Sequence, residues 1–258
     1  MAPLAGSLNT DMHVERRDIV SILEADPELG EHLDPQASAL ARRHVLARVE
    51  RVERGRWEPS SRGDSALNGA GLLVLEGLIM REIVLVGRET AELLGPGDVL
   101  KPFDTQEDFE ALPVRAEWQV CEPAAFAVLD HRFVSVAGRW PELLDSILAR
   151  SNQRTRRLAV QLAVSRVTRV DERLLIILWK LAERWGRVSP QGVKLPITVT
   201  HETLARLVGA RRPSVTTALG RLSRLGMVDR VRGGWILHGD AAEQLARLEA
   251  GVEAGSPA

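Results

Sequence analysis

The sequence feature that most constrains the fold is the segment 200–225, which reads THETLARLVGARRPSVTTALGRLSRL. Thr200 is a good N-cap for a helix, and Gly209 suits the left-handed conformation that a sharp turn requires. Pro213 then fits the first turn of a second helix, because that position needs no backbone N–H. Leucine, valine and alanine recur at helical spacing on both sides of the turn. The segment therefore predicts a helix-turn-helix.

Polar side chains occupy the predicted outer face of the second helix. Arginine can pair with guanine or with phosphate, and serine and threonine can contact base edges or backbone. In this docking geometry the residues nearest the helix start reach the bases. The predicted DNA-binding residues of the segment, including the N-cap, are Thr200, Arg211, Arg212, Ser214, Thr216, Thr217 and Arg221.

The distribution of charge favours the same interpretation. The formal net charge of the whole chain is −1, so the molecule is not a polycation. Between residues 200 and 232 the acidic residues are Glu202 and Asp229, and local positive charge is typical of phosphate binding. The alternative is that the arginines only solvate a helix face. The basic residues of this stretch are Arg206, Arg211, Arg212, Arg221, Arg224, Arg230 and Arg232.

A hairpin is predicted directly after the second helix. Residues 226–238 alternate around Gly233 and Gly234, which tolerate the positive φ of a tight turn. A hairpin in this place is the wing of a winged helix-turn-helix, and Arg230 and Arg232 are its predicted phosphate contacts. The alternative is a plain capping hairpin without contacts to DNA.

The first half of the chain shows short apolar runs separated by turn residues. Such runs at close spacing predict a compact all-β sandwich or roll. Two short helices are predicted before it, the second through Ala39, Leu40, Val45 and Leu46, and a strand over Ile197–Val199 is predicted near the C-terminal end. The strands predicted for the roll are Leu72–Leu75, Ile79–Val86, Thr90–Leu94, Val114–Cys121 and Ala125–Leu129.

Between these two parts, a long helix is predicted from Pro141 to about Val167. Residues on one of its faces recur at alternating steps of four and three, which is a heptad seam and predicts a second helix of matching length from another copy of the chain. The alternative is an amphipathic helix packed on its own domain. The predicted dimer-interface residues are Leu144, Leu148, Ser151, Thr155, Leu158, Leu162 and Ser165.

Other classes of protein lack support in the sequence. The single cysteine, Cys121, excludes an internal disulfide and a multi-cysteine metal site, and Cys121 with His131 is a weak candidate pair for ligating haem or a metal. The longest apolar stretch, Leu174–Trp179, is too short to span a bilayer, and no phosphate loop or nucleophile elbow is present. We predict no enzymatic activity, no metal, no cofactor and no membrane partner, and a cytoplasmic location.

The order of β-roll, long helix and winged helix-turn-helix resembles the Crp/Fnr family of bacterial transcription regulators. The resemblance covers roughly residues 18–238; it is strongest in 199–228 and moderate in LLGPGDVL, residues 93–100. It implies an α+β fold with a cyclic-nucleotide-binding-like roll with N-terminal helices in 1–137, a dimerisation helix in 138–168 and a DNA-binding domain in 169–258. It also implies a homodimer on a palindromic double-stranded DNA site, with RNA polymerase as a candidate partner and a sensor domain that changes the relation of the DNA-binding heads.

The sequence departs from the family pattern where cyclic-AMP-binding members hold their ligand. Arg115 is present but is followed by alanine, and no glycine-glutamate pair precedes it in residues 101–120. Leu158 and Ala159 stand where those members have hydroxyl side chains, so cyclic nucleotide binding is not expected and the effector is unknown. Trp57 and Trp118 are candidates for lining a sensor pocket. Arg212 matches a DNA-contacting arginine of the family, whereas Pro213 and Thr217 replace a glutamate and a second arginine, which predicts a different operator sequence.

Two functions therefore compete. The first is a dimeric, sequence-specific DNA-binding transcription regulator. The second is a ligand-binding or protein-interaction module whose helix-turn-helix serves assembly rather than DNA binding, and the exposed arginines of the second helix argue against it.

Overall fold

The computed structural model describes residues 18–59, 69–86, 88–101 and 114–253. An antiparallel β-roll with short helices at its edge is followed by a long helix and by a head of helices with a small sheet. This arrangement confirms the predicted α+β fold class. Among the described helices, none is both long and apolar enough to cross a membrane.

Within the described residues, the roll is a seven-stranded sheet in which all pairs are antiparallel. Its strands are β1 (Ile19–Ser21), β2 (Leu46–Val52), β3 (Gly55–Trp57), β4 (Gly71–Leu85), β5 (Arg88–Leu94), β6 (Val99–Leu100) and β7 (Val114–Leu129). The main order is β1-β2-β7-β4-β5, with β3 paired to β7 and β6 paired to β4.

Strands β4 and β7 are each one bent strand where the sequence pattern predicted two. Gly77 lies at the bend of β4 with φ of 87°, and a Cβ there would meet the carbonyl oxygen of Pro123 on β7 at 2.2 Å. The pairing of β4 with β7 shifts register between Val74 and Ile79. These turn-forming residues bend the long strands and do not end them, because the partner strand continues the ladder on both sides.

The short helices at the edge of the roll are α1 (Ile22–Ala25), a 3₁₀ turn (Pro27–Gly30), α2 (Pro35–His44) and α3 (His131–Ala137). The Asp34 side chain caps α2 by accepting from the backbone N–H of Gln36 and Ala37 at 2.9 Å. The prediction that Val45 and Leu46 belong to this helix is wrong. Val45 is fully buried and Leu46 begins β2, because pairing with β1 and β7 overrides the helical pattern.

The long helix α4 runs from Pro141 to Val164, which confirms the predicted helix and shortens its C-terminal end slightly. The head follows it. The elements of the head are α5 (Val170–Trp185), β8 (Arg187–Ser189), β9 (Gly192–Leu195), α6 (His201–Val208), α7 (Arg212–Arg224), β10 (Val228–Val231), β11 (Gly234–Leu237) and α8 (Ala241–Glu253).

The strand predicted over Ile197–Val199 is not formed. The preceding residues form the hairpin β8–β9 instead, and β9 pairs with β11 in a sheet of order β10-β11-β9-β8. Pairing ends at Leu195 because Pro196 has no N–H to donate to the ladder. Ile197 and Val199 are still buried, so they contribute to the core as irregular chain.

The core of the head continues into the roll. The apolar cluster formed by α5, α6, α7 and the small sheet also contains Leu78 and Met80 of β4 and Ala91 and Leu93 of β5. The roll interior and the layer of N-terminal helices form two further clusters. The head is therefore packed against the roll of its own chain, and the boundary predicted between domains at residues 168 and 169 stays a prediction.

Candidate nucleic-acid interface

The helix-turn-helix forms as predicted from local signals. The hydroxyl of Thr200 accepts a hydrogen bond from the backbone N–H of Thr203 at 3.0 Å and so caps α6. Helix α6 ends at Gly209, which is left-handed with φ of 61° and ψ of 46°. Arg173 of α5 donates to the carbonyl of Val208 at 2.7 Å. This bond satisfies one of the last carbonyl groups of α6, which have no hydrogen-bond donor within the helix.

Two glycines of this motif provide a matched test of the turn. We expect Gly209→Ala to lower the free energy of unfolding by about 1 kcal/mol, because an L residue is strained at positive φ. Gly220→Ala in α7 is the control: nothing lies within 4 Å of the added Cβ, and we expect a gain of about 0.5–1 kcal/mol. Urea unfolding of both variants measures the difference, and equal effects would contradict the left-handed turn.

The second helix of the motif, α7, presents the predicted residues to solvent. Its buried stripe consists of Val215, Ala218, Leu219 and Leu222. Pro213 lies in the first turn, as predicted. The predicted DNA-contacting residues, all of them exposed, are Thr200, Arg211, Arg212, Ser214, Thr216, Thr217 and Arg221.

Not every arginine of the predicted basic cluster is available to a phosphate. Arg221 forms an ion pair with Asp171 of α5 at 3.0 Å, although its side chain stays 44% exposed. Arg206 is turned toward the roll, where it pairs with Glu82 of β4. The sequence count of positive charge therefore overstates the charge that the head presents to a partner.

The hairpin β10–β11 forms with Gly233 and Gly234 at its turn, both at positive φ. Arg230 and Arg232 are exposed, and the Arg230 guanidinium lies 5.5 Å from the centre of the Trp235 ring. The hairpin thus presents positive charge beside the helix-turn-helix, in the position of a wing.

A cleft of about 430 Å³ lies between the helix-turn-helix and the wing. It is lined by Thr200, His201, Glu202, Arg212 and Arg230. The sequence did not single out His201, since nothing in its local pattern shows that α7 and the wing bring two arginines beside it. The cleft is large enough to admit a phosphate group, and two arginines and one glutamate line it.

The predicted dimer face of α4 lies beside the face that packs on the roll. The inner face follows the same four-three spacing and consists of Leu143, Ile147, Arg150, Arg154, Arg157, Gln161 and Val164. Each predicted seam position follows one of these by one residue, about 100° around the helix. The own-domain alternative is therefore correct for the inner face, and the predicted seam is a second face.

The predicted seam is uncovered over most of its length. Leu148, Leu158 and Leu162 are 61%, 40% and 64% exposed, and Leu144 is half-buried. The exposed hydroxyls of Thr155 and Ser165 donate to carbonyls of their own helix, those of Ser151 and Leu162. The hydroxyls of Thr155 and Ser165 thus need no partner, and the exposed leucines remain for another helix.

Acidic residues of the roll hold the helices that follow it. The buried Asp98 accepts from the N–H of Gly95 at 2.9 Å and pairs with Arg157 of α4 and Arg184 of α5. Glu92 pairs with Arg81 at 3.2 Å and with Arg154 of α4.

These pairs have a measurable electrostatic consequence at Glu92. Burial alone would raise the pKa of this carboxyl, but the hydrogen bonds and charges of Arg154 and Arg81 outweigh burial and lower the pKa below its ordinary value. The carboxylate is therefore charged at neutral pH. Together with Glu82 and Asp98 it ties the long helix and the head to one face of the roll.

The candidate sensor residues Trp57 and Trp118 belong to the core of the roll. Trp57 and Trp118 are buried in the roll core with their ring centres 5.7 Å apart, and Trp57 stacks on Phe126 at 4.8 Å. Arg115 is exposed at the start of β7. Most of the stretch compared with the phosphate cassette, residues 102–113, lies outside the described residues.

The cysteine does not form part of a metal site in the described part of the chain, where no cluster of three potential ligands occurs. Cys121 is half-buried in β7, and burial raises the pKa of its thiol to about 11. His131 is exposed at the first residue of α3.

Comparisons with known proteins identify the head. Residues 172–248 match the family described as the Crp-like helix-turn-helix domain. The CRP-like cAMP-activated global transcriptional regulator of Mycobacterium tuberculosis is 34% identical over 107 residues, which are 42% of this chain and 47% of that protein. The chain thus spans about half the length of the curated relatives it matches.

Solved structures share the fold over most of the chain. A CooA mutant from Carboxydothermus hydrogenoformans has a TM-score of 0.57 at 18% sequence identity, and the alignment covers 78% of this chain and 87% of the CooA chain. A CRP-family transcriptional regulator from Thermus thermophilus has a TM-score of 0.51 at 24% identity and covers 80% and 97%. Residues 172–248 thus form a Crp-like helix-turn-helix domain, and the chain as a whole shares its fold with these solved structures.

Proposed function

We propose that the protein is a dimeric transcription regulator that binds a palindromic double-stranded DNA site through α7 and the wing. The observation that carries this proposal is the exposed polar face of α7, flanked by the arginine-lined cleft. Its site of action would be the cytoplasm. RNA polymerase remains a candidate partner, since a regulator acts on transcription.

The dimer is supported by the exposed leucines of α4. A seam beside the packed face leaves the roll undisturbed while two α4 helices pair, and pairing fixes two recognition helices about one DNA turn apart. Two-fold symmetry of the protein would then be matched by a two-fold symmetric site.

We propose no cofactor, and we do not propose a cyclic nucleotide as effector. The exposed Arg115 and the absence of hydroxyls at Leu158 and Ala159 support this view. A relative with the same type of head is named as cAMP-activated, so a titration with cAMP is the appropriate check. The competing proposal, a module for protein interaction alone, has no observation that favours it.

The function is tested by selecting bound sites from a random duplex library and titrating salt on the best site. We expect a palindrome with half-sites about one helical turn apart and an affinity that falls steeply with salt. Weak binding without any enriched sequence, in the presence and absence of small-molecule cell extract, would refute sequence-specific DNA binding.

Arg212 should be the largest single contributor among the exposed side chains of α7. It is exposed at the helix start, where side chains reach base edges. We expect Arg212→Ala to weaken binding to the selected site by about 10–100-fold. We also expect the variant to discriminate less between bases at one base pair of the site. Arg42→Ala, an exposed arginine of α2, is the control and should leave fluorescence anisotropy titrations unchanged.

A further inference from the structure

The cleft between the helix-turn-helix and the wing contains a side chain whose charge can change near neutral pH. His201 is half-buried at the first residue of α6. Arg212 and Arg230 line the same cleft, from the start of α7 and from the wing respectively. Three potential cationic groups, carried by three different elements, therefore line one cleft, together with the carboxylate of Glu202.

A chain of hydrogen bonds links the histidine ring to α7. The Thr216 hydroxyl lies 3.1 Å from the carbonyl oxygen of Arg212, which can only accept, so Thr216 donates its proton there. The same hydroxyl lies 2.9 Å from Nδ1 of His201, and when its own proton points to the Arg212 carbonyl it accepts from Nδ1–H. In that arrangement the neutral ring carries its proton on Nδ1, and Nε2 is the nitrogen that takes up a further proton.

Nε2 has no hydrogen-bond partner in the described residues. A neutral Nε2 presents a lone pair, which repels a phosphate oxygen, whereas a protonated Nε2 donates to that oxygen. In the Nδ1–H tautomer the ring therefore donates to a phosphate oxygen only after Nε2 takes up a proton.

We propose that His201 is the third phosphate-binding group of this cleft and that it binds DNA as the imidazolium, so that operator binding takes up protons. The inference rests on the proposed function and names the group through which pH acts on it.

The charges around His201 set the direction of the effect. Burial, followed by the positive charges of Arg230 and Arg212, lowers its pKa below the ordinary value. Glu202 on the same helix is exposed and pairs with Arg206 at 3.5 Å. A bound phosphate brings negative charge and raises the pKa, so the bound protein holds more protons. The affinity must then increase as the pH falls through the pKa of the bound state.

The experiment measures the affinity of the full-length protein for its selected duplex by anisotropy at constant ionic strength, from about pH 8 to about pH 6. For the wild type we expect a gain of about 10-fold or more, with at most one proton per half-site. His201→Gln should be nearly independent of pH and should bind as the wild type does at high pH.

A permanently charged side chain at residue 201 distinguishes the effect of the proton from the effect of the side chain's position. His201→Arg should bind tightly at every pH, because its charge does not titrate in this range. His131→Gln in the roll and His238→Gln in the head are the controls, and both should keep the pH dependence of the wild type. His238 contacts Asp229 at 3.0 Å and does not line the cleft.

The two ideas can fail separately. If the wild type and His201→Gln bind DNA with the same pH dependence, proton uptake at His201 is wrong and the proposed function stands. If neither the wild type nor His201→Arg binds any duplex at any pH, the proposed function itself is wrong, and the inference falls with it.

Discussion

We expect Asp98→Asn to lower the free energy of unfolding by about 3 kcal/mol, a large effect for a substitution that changes no volume. Asp98 is 2% exposed and lies in the turn between β5 and β6. Its two oxygens bind Arg157 and Arg184, which come from the long helix and from the head. The substitution removes the one negative charge that these two guanidinium groups share.

The size of the effect follows from what the arginines lose. Arg184 is largely buried, and burial lowers its pKa, whereas Asp98 acts in the opposite direction. An amide can accept from one guanidinium but turns its NH₂ group toward the other, so one partly buried arginine loses its carboxylate, and Arg184 keeps only its hydrogen bond to the Leu93 carbonyl and its contact with the Trp185 ring. Arg157 is about one-third exposed and can recover some hydration, which keeps the expected loss at the lower end for such pairs.

Urea unfolding followed by tryptophan fluorescence at a fixed protein concentration measures this loss. Asp145→Asn, an exposed aspartate in the first part of α4, is the matched control and should change stability by only a few tenths of a kcal/mol. A loss below about 1 kcal/mol for Asp98→Asn would show that Asp98 does not hold the helices on the roll.

The parts of the structure that sequence predicts well are those that short-range signals define. The helix-turn-helix has its cap at Thr200, its left-handed turn at Gly209 and its proline at the start of α7. Each of these signals acts within a few residues, and so the exposed face of α7 could be named in advance. The role of those residues in DNA binding stays a prediction.

The parts that sequence misses depend on residues that are distant along the chain. The sequence pattern ends one strand at Leu75 and another at Cys121, yet β4 and β7 continue past these residues, because the two strands pair with each other on both sides of the register shift. Arg206 reads as part of a basic patch, but it pairs with Glu82 of the roll. The position of His201 between Arg212 and Arg230 likewise appears only when α6, α7 and the wing are assembled.

In the long helix, one part of the structure is predicted by the sequence and another part is missed. Its four-three spacing predicted one seam, and the structure contains two parallel faces with the same spacing, one residue apart. The inner face is occupied by ion pairs to the roll, including those of Arg154 and Arg157, and the outer face carries exposed leucines. Sequence periodicity alone could not separate them, because arginines with long apolar stems can occupy a packed face.

We expect Leu148→Glu combined with Leu162→Glu to convert a dimer into monomers and to weaken binding to the palindrome by about 100-fold or more. Both leucines are more than half exposed in the single chain and belong to the predicted seam, where a glutamate from each copy would face its equivalent. A monomer engages one half-site at a time, so the gain from simultaneous binding of two half-sites disappears.

Sedimentation analysis gives the oligomeric state, and anisotropy on a full site and on a half-site gives the affinity. Val160→Glu is the matched control, because Val160 is 41% exposed on α4 but lies about 160° around the helix from Leu158 and Leu162 of the predicted seam. It introduces the same charge into the same helix and should leave the dimer and its affinity intact. A double variant that remains dimeric would place the interface elsewhere. A monomeric variant that loses affinity equally for the half-site would instead show that the head, and not the pairing of two heads, had been damaged.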